Sequence, residues 1–162
     1  MGLDQYLYAK RHTFDSGDFE KKDTLREMFG HKLNEQIKEL LPKEVIGIST
    51  RRSSIGVSVE VAYWRKSNQV HKYFVDNCQN GEDDCRIGYV AREKLEELMK
   101  LCEKVIADPS LADELLPVQE GFFFGSTDYD QYYFEDLAYT VEQLKKILLL
   151  DDVWSFEYAS SW

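Results

Sequence analysis

Trp64, Arg65, Asn68 and His71 have the residue types that recognise a nucleotide-like ligand. An indole plate stacks on a base, a guanidinium fork matches phosphate oxygens, and amide and imidazole groups meet base edges. Arg86 adds a further guanidinium. Ser126, Thr127 and Tyr129 add two hydroxyls and an aromatic face within Gly121–Asp136, GFFFGSTDYDQYYFED. That segment reads as a core strand Phe122–Phe124, a turn at Gly125 and the start of a long helix. Ser126 or Thr127 is its expected N-cap, with Asp128 and Asp130 in the first turn. Free backbone N–H groups there suit an anion, although the two carboxylates compete with one. The candidate site is thus the turn Gly125–Asp130, facing a Trp64–His71 edge.

Catalytic patterns are sparse. His71 could serve as a general base oriented by Asp83 or Asp84, or could be a half-buried histidine bonded within the fold. No nucleophile elbow or phosphate-cradling glycine loop accompanies it, and nothing supplies the convergent nucleophile, base and oxyanion donors that an enzyme requires. His12, His31 and His71 lack HExxH or CxxC partners, and Cys78 and Cys85 are not at structural-zinc spacing. The expectation is a protein without enzymatic activity, cofactor or metal.

The elements that would position these groups follow from hydrophobic periodicity. Leu3–Ala9 alternates, with Leu3, Gln5 and Leu7 on one face and Asp4, Tyr6 and Tyr8 on the other, as in a strand. Lys10–Lys22 reads as a loop, and Asp23 caps a helix running to about Leu41. Glu44–Thr50 and Ile55–Val61 form a hairpin around an Arg51-Arg52 tip suited to an anion. Ala62–Gln79 reads as a helix. At roughly 100° per residue, Tyr63, Ser67, Val70, Phe74 and Cys78 make its core stripe. Trp64, Asn68 and His71 lie at the edge of that stripe, and Arg65, Gln69, Lys72 and Asp76 face solvent. Cys85–Val90 is a short strand. Arg92–Ala107 is a helix with Leu95, Leu98, Cys102 and Val105 inward, and a helical turn covers Leu111–Leu116. A helix from Tyr129 to Leu150 has Tyr133, Leu137, Val141, Leu144 and Leu148 inward. Trp154–Tyr158 is the closing strand.

The sum is one α+β domain over residues 1–162, with a small, mostly antiparallel sheet packed by three or four helices. The formal charge is -10, from 30 acidic and 20 basic side chains. Such a balance disfavours direct binding to nucleic acid or an anionic membrane, and no apolar run approaches a membrane span. It also permits an acidic face that imitates nucleic acid. Three cysteines without CxxC, after an N-terminus with no apolar leader, point to a reducing intracellular setting.

The opening MGLDQYLYAK, the stretch AYWRKSNQVHKYFVDN, GEDDCRIGYV, LLPVQEGFFFGSTDYDQYYFEDL and the closing SSW resemble a family of small phage and prophage proteins of unassigned function. The resemblance covers both ends and most of the chain from Ala62 onward; residues 11–60 carry no shared motif. It implies a phage accessory protein in the host cytoplasm and supplies no catalytic residues. With the aromatic and arginine set, the leading expectation is a host-defence antagonist that sequesters a small nucleotide-type signal. Trp64, Arg65, Asn68, His71, Arg86, Ser126, Thr127 and Tyr129 would line the site. The alternative is an acidic protein-binding inhibitor of a host defence complex; a hydrolase using His71 and Asp84 ranks third. A homo-oligomer is compatible with all three.

Overall fold

The computed structural model describes residues 2–15 and 53–162; the expected helix at 23–41, the strand at 44–50 and the Arg51-Arg52 tip lie outside the described residues. The chain divides into two compact units, Met1–Arg11 with Ser58–Trp162, and His12–Val57. In the second unit the described stretches, 12–15 and 53–57, are strand.

The fold is α+β, built on an antiparallel sheet. Its strands are β1 (Asp4–Asp15), β2 (Ser53–Arg65), β3 (Gly88–Val90) and β4 (Ser155–Ser161), in the order β2-β1-β4-β3. β1 and β4 pair from Asp4↔Ser161 to Lys10↔Ser155, and β3 joins the far side of β4 with Tyr89 opposite Glu157. β1 thus extends well past Ala9, through residues expected to be loop. Its alternation buries Leu3, Gln5, Leu7 and Ala9, as its period requires. The neighbouring strands add Ala62, Trp64, Phe156 and Tyr158 to the core. The opposite face carries a tyrosine cluster, with Tyr6 packed against Tyr8 and Tyr63.

The helices are α1 (Asn68–Cys78), α2 (Arg92–Ala107), the single turn α3 (Ala112–Leu115) and α4 (Gln131–Ile147). α2 buries Leu95, Leu98, Cys102 and Val105, the stripe read from its spacing, and packs along α4. α4 contributes Tyr133, Leu137, Thr140, Val141, Leu144 and Ile147. Each fully buried Leu contributes roughly 1.5–3 kcal/mol through surface removed from water. Leu148, expected inward, is only partly buried because the helix ends at Ile147.

Three expectations are corrected. Residues 62–65 belong to β2 rather than to a helix. Tyr63 therefore lies outside the core, where its hydroxyl meets Asp4, while Trp64 points inward and donates Nε1–H to Thr140 Oγ1 at 2.9 Å. The strand-to-helix break falls at Lys66, whose backbone is left-handed at φ 61°. Second, Phe122–Phe124 is a turn, not a core strand: Phe122 is 95% exposed, and only Phe124 enters the interior. Third, the long helix is capped by Asp130, whose Oδ1 accepts from Tyr133 N at 3.1 Å, rather than by Ser126 or Thr127.

Candidate functional site

A cleft of about 360 Å³ opens where the end of β2 meets the start of α1, across from the loop before α4 and the first turns of α4. Arg65 and Lys66 line it from β2 and the joint, Asn68 and Gln69 from α1, Gly125, Ser126, Asp128 and Asp130 from the loop, and Tyr132, Tyr133, Glu135 and Asp136 from α4. A volume of this size accommodates a small organic ligand.

Local backbone chemistry sets the walls. Lys66 N donates to Leu3 O at 2.8 Å, tying the β2–α1 joint to the N-terminal segment. Gly125 lies against this joint at φ +93°, and a Cβ added to it would stand 3.1 Å from Lys66 Cβ. A side chain at 125 would be strained by both conformation and space. Asn68 holds the loop from the other direction. Its Nδ2 donates to Ser126 O at 2.7 Å and Phe124 O at 3.3 Å, while its Oδ1 accepts from Gln119 N at 3.0 Å. Asn68 is therefore a clamp that shapes the cleft, its side-chain capacity largely spent on backbone. Ser126 is turned toward Asp128, donating to Oδ2 at 3.1 Å and accepting from Asp128 N at 3.0 Å.

The start of α1, buried behind the cleft wall, is the chemically unusual part. Ser67, the N-cap of α1, makes no side-chain capping bond. Among the described residues Ser67 Oγ and Gln69 Nε2 have no hydrogen-bond partner, although Ser67 is fully buried and Gln69 is 3% exposed. Buried polar atoms are normally paired, and an exception calls for a reason. Both groups face Asp136. Burial raises that carboxyl above the usual aspartate range, opposed by the approach of Ser67 and Gln69, which stop short of good hydrogen-bond geometry with it. Glu135 accepts from Gln131 Nε2 at 2.7 Å, and Asp130 is occupied as the cap of α4. The cleft is thus dipolar, with two cations at the β2–α1 side and carboxylates along the loop and α4.

Of the residues singled out from sequence, Arg65, Asn68 and Ser126 converge here. The others do not. Trp64 is in the core. His71, expected at the cleft edge, is completely buried. Arg86 lies in another loop, held by Asp84 at 2.6–2.7 Å and by Glu82, and these pairs raise its pKa and lower that of Asp84. Thr127 is exposed beside the cleft without lining it, and Tyr129 donates its hydroxyl to Asp113 at 2.9 Å. Tyr132 and Tyr133, two of the aromatic faces the sequence offers for stacking, line the cleft, while nothing in the sequence pattern marks Lys66, Gln69 or Asp136 as site residues. A helix begun at Ala62 turns Gln69 to solvent, whereas α1 begins at Asn68; α4 periodicity alone puts Asp136 beside the core stripe.

His71 sits instead in a buried polar chain. Gln5 Nε2 donates to Ser67 O at 3.1 Å, which turns Gln5 Oε1 toward Tyr158, and the Tyr158 hydroxyl donates to it at 3.1 Å. His71 Nδ1 lies 2.7 Å from the same hydroxyl, and Nε2 lies 2.9 Å from Asp83 Oδ2. Asp83 Oδ1 also accepts from Trp162 Nε1 at 3.1 Å. The partner of His71 is therefore Asp83, while Asp84 is engaged by Arg86. Every polar atom of the ring is spent on structure and is sealed from the cleft, an arrangement that favours a structural role over a general base.

Among the described residues no group of three His, Cys, Asp or Glu side chains is placed to hold a metal ion, and no helix is long and apolar enough to cross a membrane. Comparison of the chain with protein-family models, curated proteins and solved structures finds no match.

Proposed function

We propose that this is a phage accessory protein without enzymatic activity, acting in the host cytoplasm, that binds and sequesters a small nucleotide-type signal of host defence. The observation that carries the reading is the cleft lining, which sets the cations Arg65 and Lys66 and the ring of Tyr132 opposite a row of carboxylates. This lining suits the parts of a nucleotide. Arg65 and Lys66 offer charge to phosphate, Tyr132 offers a face to a base, and the carboxylates accept from ribose hydroxyls. Sequestration needs no nucleophile, and His71 is committed to the core.

Isothermal titration calorimetry of the full chain against cyclic and linear nucleotides tests the proposal. Saturable heat with at least one nucleotide, weakened by Lys66→Glu, is the expected result; no heat across the panel refutes it. The alternative, an acidic inhibitor of a host defence complex, draws support from the -10 charge and the carboxylates that border the cleft. It requires a protein partner whose affinity falls steeply with salt and is lost on reversing Asp128 and Glu135.

A further inference from the structure

We infer that the outer face of the sheet packs against a second copy of this chain, face to face and with the strands antiparallel. α1 and α4 cover the inner face, through Phe74 against Trp64 and Tyr158 and through the bond from Trp64 to Thr140. The outer face is aromatic. Tyr6 and Tyr8 stack on β1 with centroids 6.1 Å apart, Tyr63 on β2 lies 5.4 Å from Tyr6, and Tyr89 on β3 is 67% exposed. β4 sets Glu157 between Tyr8 and Tyr89, and the small Ala159 beside Tyr6. Tyrosine is enriched at interfaces because its rigid ring covers a large area at low entropic cost.

The charges on this face select the occupant. The outward residues of β1 run Asp4, Tyr6, Tyr8, Lys10, a carboxylate at one end, an ammonium at the other and two rings between. A twofold axis lying across the strands, midway between Tyr6 and Tyr8, turns β1 of the second copy antiparallel to the first. Asp4 of each copy then meets Lys10 of the other, twice by symmetry, and the tyrosines meet over the axis. Glu157, opposite Tyr8 in the register, falls over Ala159 rather than over another carboxylate. The parallel arrangement would set Asp4 on Asp4 and Lys10 on Lys10, so it is disfavoured. Lys10 is paired with Glu157 and Asp4 accepts from the Tyr63 hydroxyl within the chain. An ammonium has three donors and a carboxylate about four acceptor sites, so each retains capacity for the second copy. Such self-complementarity stands against a net charge of -10, which otherwise opposes self-association.

Sedimentation equilibrium of the full chain, together with carbodiimide cross-linking and peptide mass spectrometry, tests the dimer. The expected species at micromolar concentration has twice the 19.0 kDa mass of the chain. The expected cross-link joins Asp4 to Lys10. Extended strand holds these two about 20 Å apart within one chain, so a zero-length bond between them must run between copies. The Lys10–Glu157 link within each chain shows that the reagent reaches Lys10. Asp4→Lys should weaken the dimer by about 10-fold, since two ion pairs become two repulsions, and adding Lys10→Glu should recover it. A monomer at every concentration overturns the proposal. A dimer without the Asp4–Lys10 link, or one indifferent to Asp4→Lys, overturns this packing. If Asp4→Lys does not fold, the cross-link on the unmodified protein decides alone.

Discussion

Tyr158→Phe isolates a single oxygen. The tyrosine ring is completely buried and stacked on Phe74, with centroids 4.3 Å apart and planes at 17°, and a phenylalanine ring retains that packing. What is lost is the hydroxyl between His71 Nδ1, at 2.7 Å, and Gln5 Oε1, at 3.1 Å. Both groups are completely buried from bulk solvent. Leaving a buried polar group unpaired costs roughly 1–3 kcal/mol, so two such groups, less the relief of no longer burying the hydroxyl, give a loss of about 2–4 kcal/mol. For a chain of this length that is a fall in Tm of about 5–10 °C. Urea denaturation of wild type, Tyr158→Phe, Gln5→Leu and the double variant measures both the loss and the coupling. Because Gln5→Leu removes one of the stranded groups, the double variant should cost less than the sum of the singles by about 1 kcal/mol or more. Tyr158→Phe within about 0.5 kcal/mol of wild type, or strict additivity, would refute the account of His71 as part of a connected chain.

Other outcomes follow from single groups. Asp136 has its folded-state pKa raised, so the protonated form favours the fold. That contribution is complete below the ordinary aspartate value of about 3.9 and is lost as pH rises through the raised folded value. Asp136→Asn should therefore be more stable than wild type at pH 7, with the pH-dependent part of the gap closing as pH falls past that window; a gap constant with pH contradicts it. Gly125→Ala, at φ +93° and tight against Lys66, should lower stability by about 1 kcal/mol or more in thermal melts. Burial lifts the Cys78 thiol to about 11 and the Cys102 thiol to about 12. At pH 8 both should resist a thiol reagent in the native protein and react at once in denaturant. Phe122→Ser, at 95% exposure, should leave the melting temperature within the range of surface changes, about 0.5 kcal/mol.

Periodicity identified much of this fold where one pattern had no rival. The inward stripe of α2 and the faces of β1 are legible because a single period explains each run. Ala62–Arg65 is different. Tyr63 fits a helical stripe with Ser67 and Val70, yet the same residues alternate Val61, Tyr63 and Arg65 against Ala62 and Trp64. The structure resolves the choice through a distant contact, Lys66 N to Leu3 O, and a left-handed residue that no local propensity announces. A helix read through Ala62–Arg65 therefore displaces Trp64 and His71 onto a cleft edge and Gln69 into solvent. Phe122–Phe124 misled for a related reason: three apolar residues predict burial, but one ring suffices to fill the space beside His71 and Trp162. The cleft joins Asn68 and Gln69 to Asp136 from a separate helix, a meeting that depends on packing alone.

The pairing of β1 with β4 also sets a schedule. Lys10 and Ser155 are opposite one another although 145 residues separate them. A loop of that length closes late, and long-range pairing of this kind folds slowly. While the chain is being translated, β1 must wait beside β2 with one edge bare until residues 155–161 emerge. A ribosome stalled or a message cut before Trp154 would release a product with an unmatched strand edge, the form most prone to aggregation. Completion of the sheet thereby falls to the seven residues Ser155–Ser161.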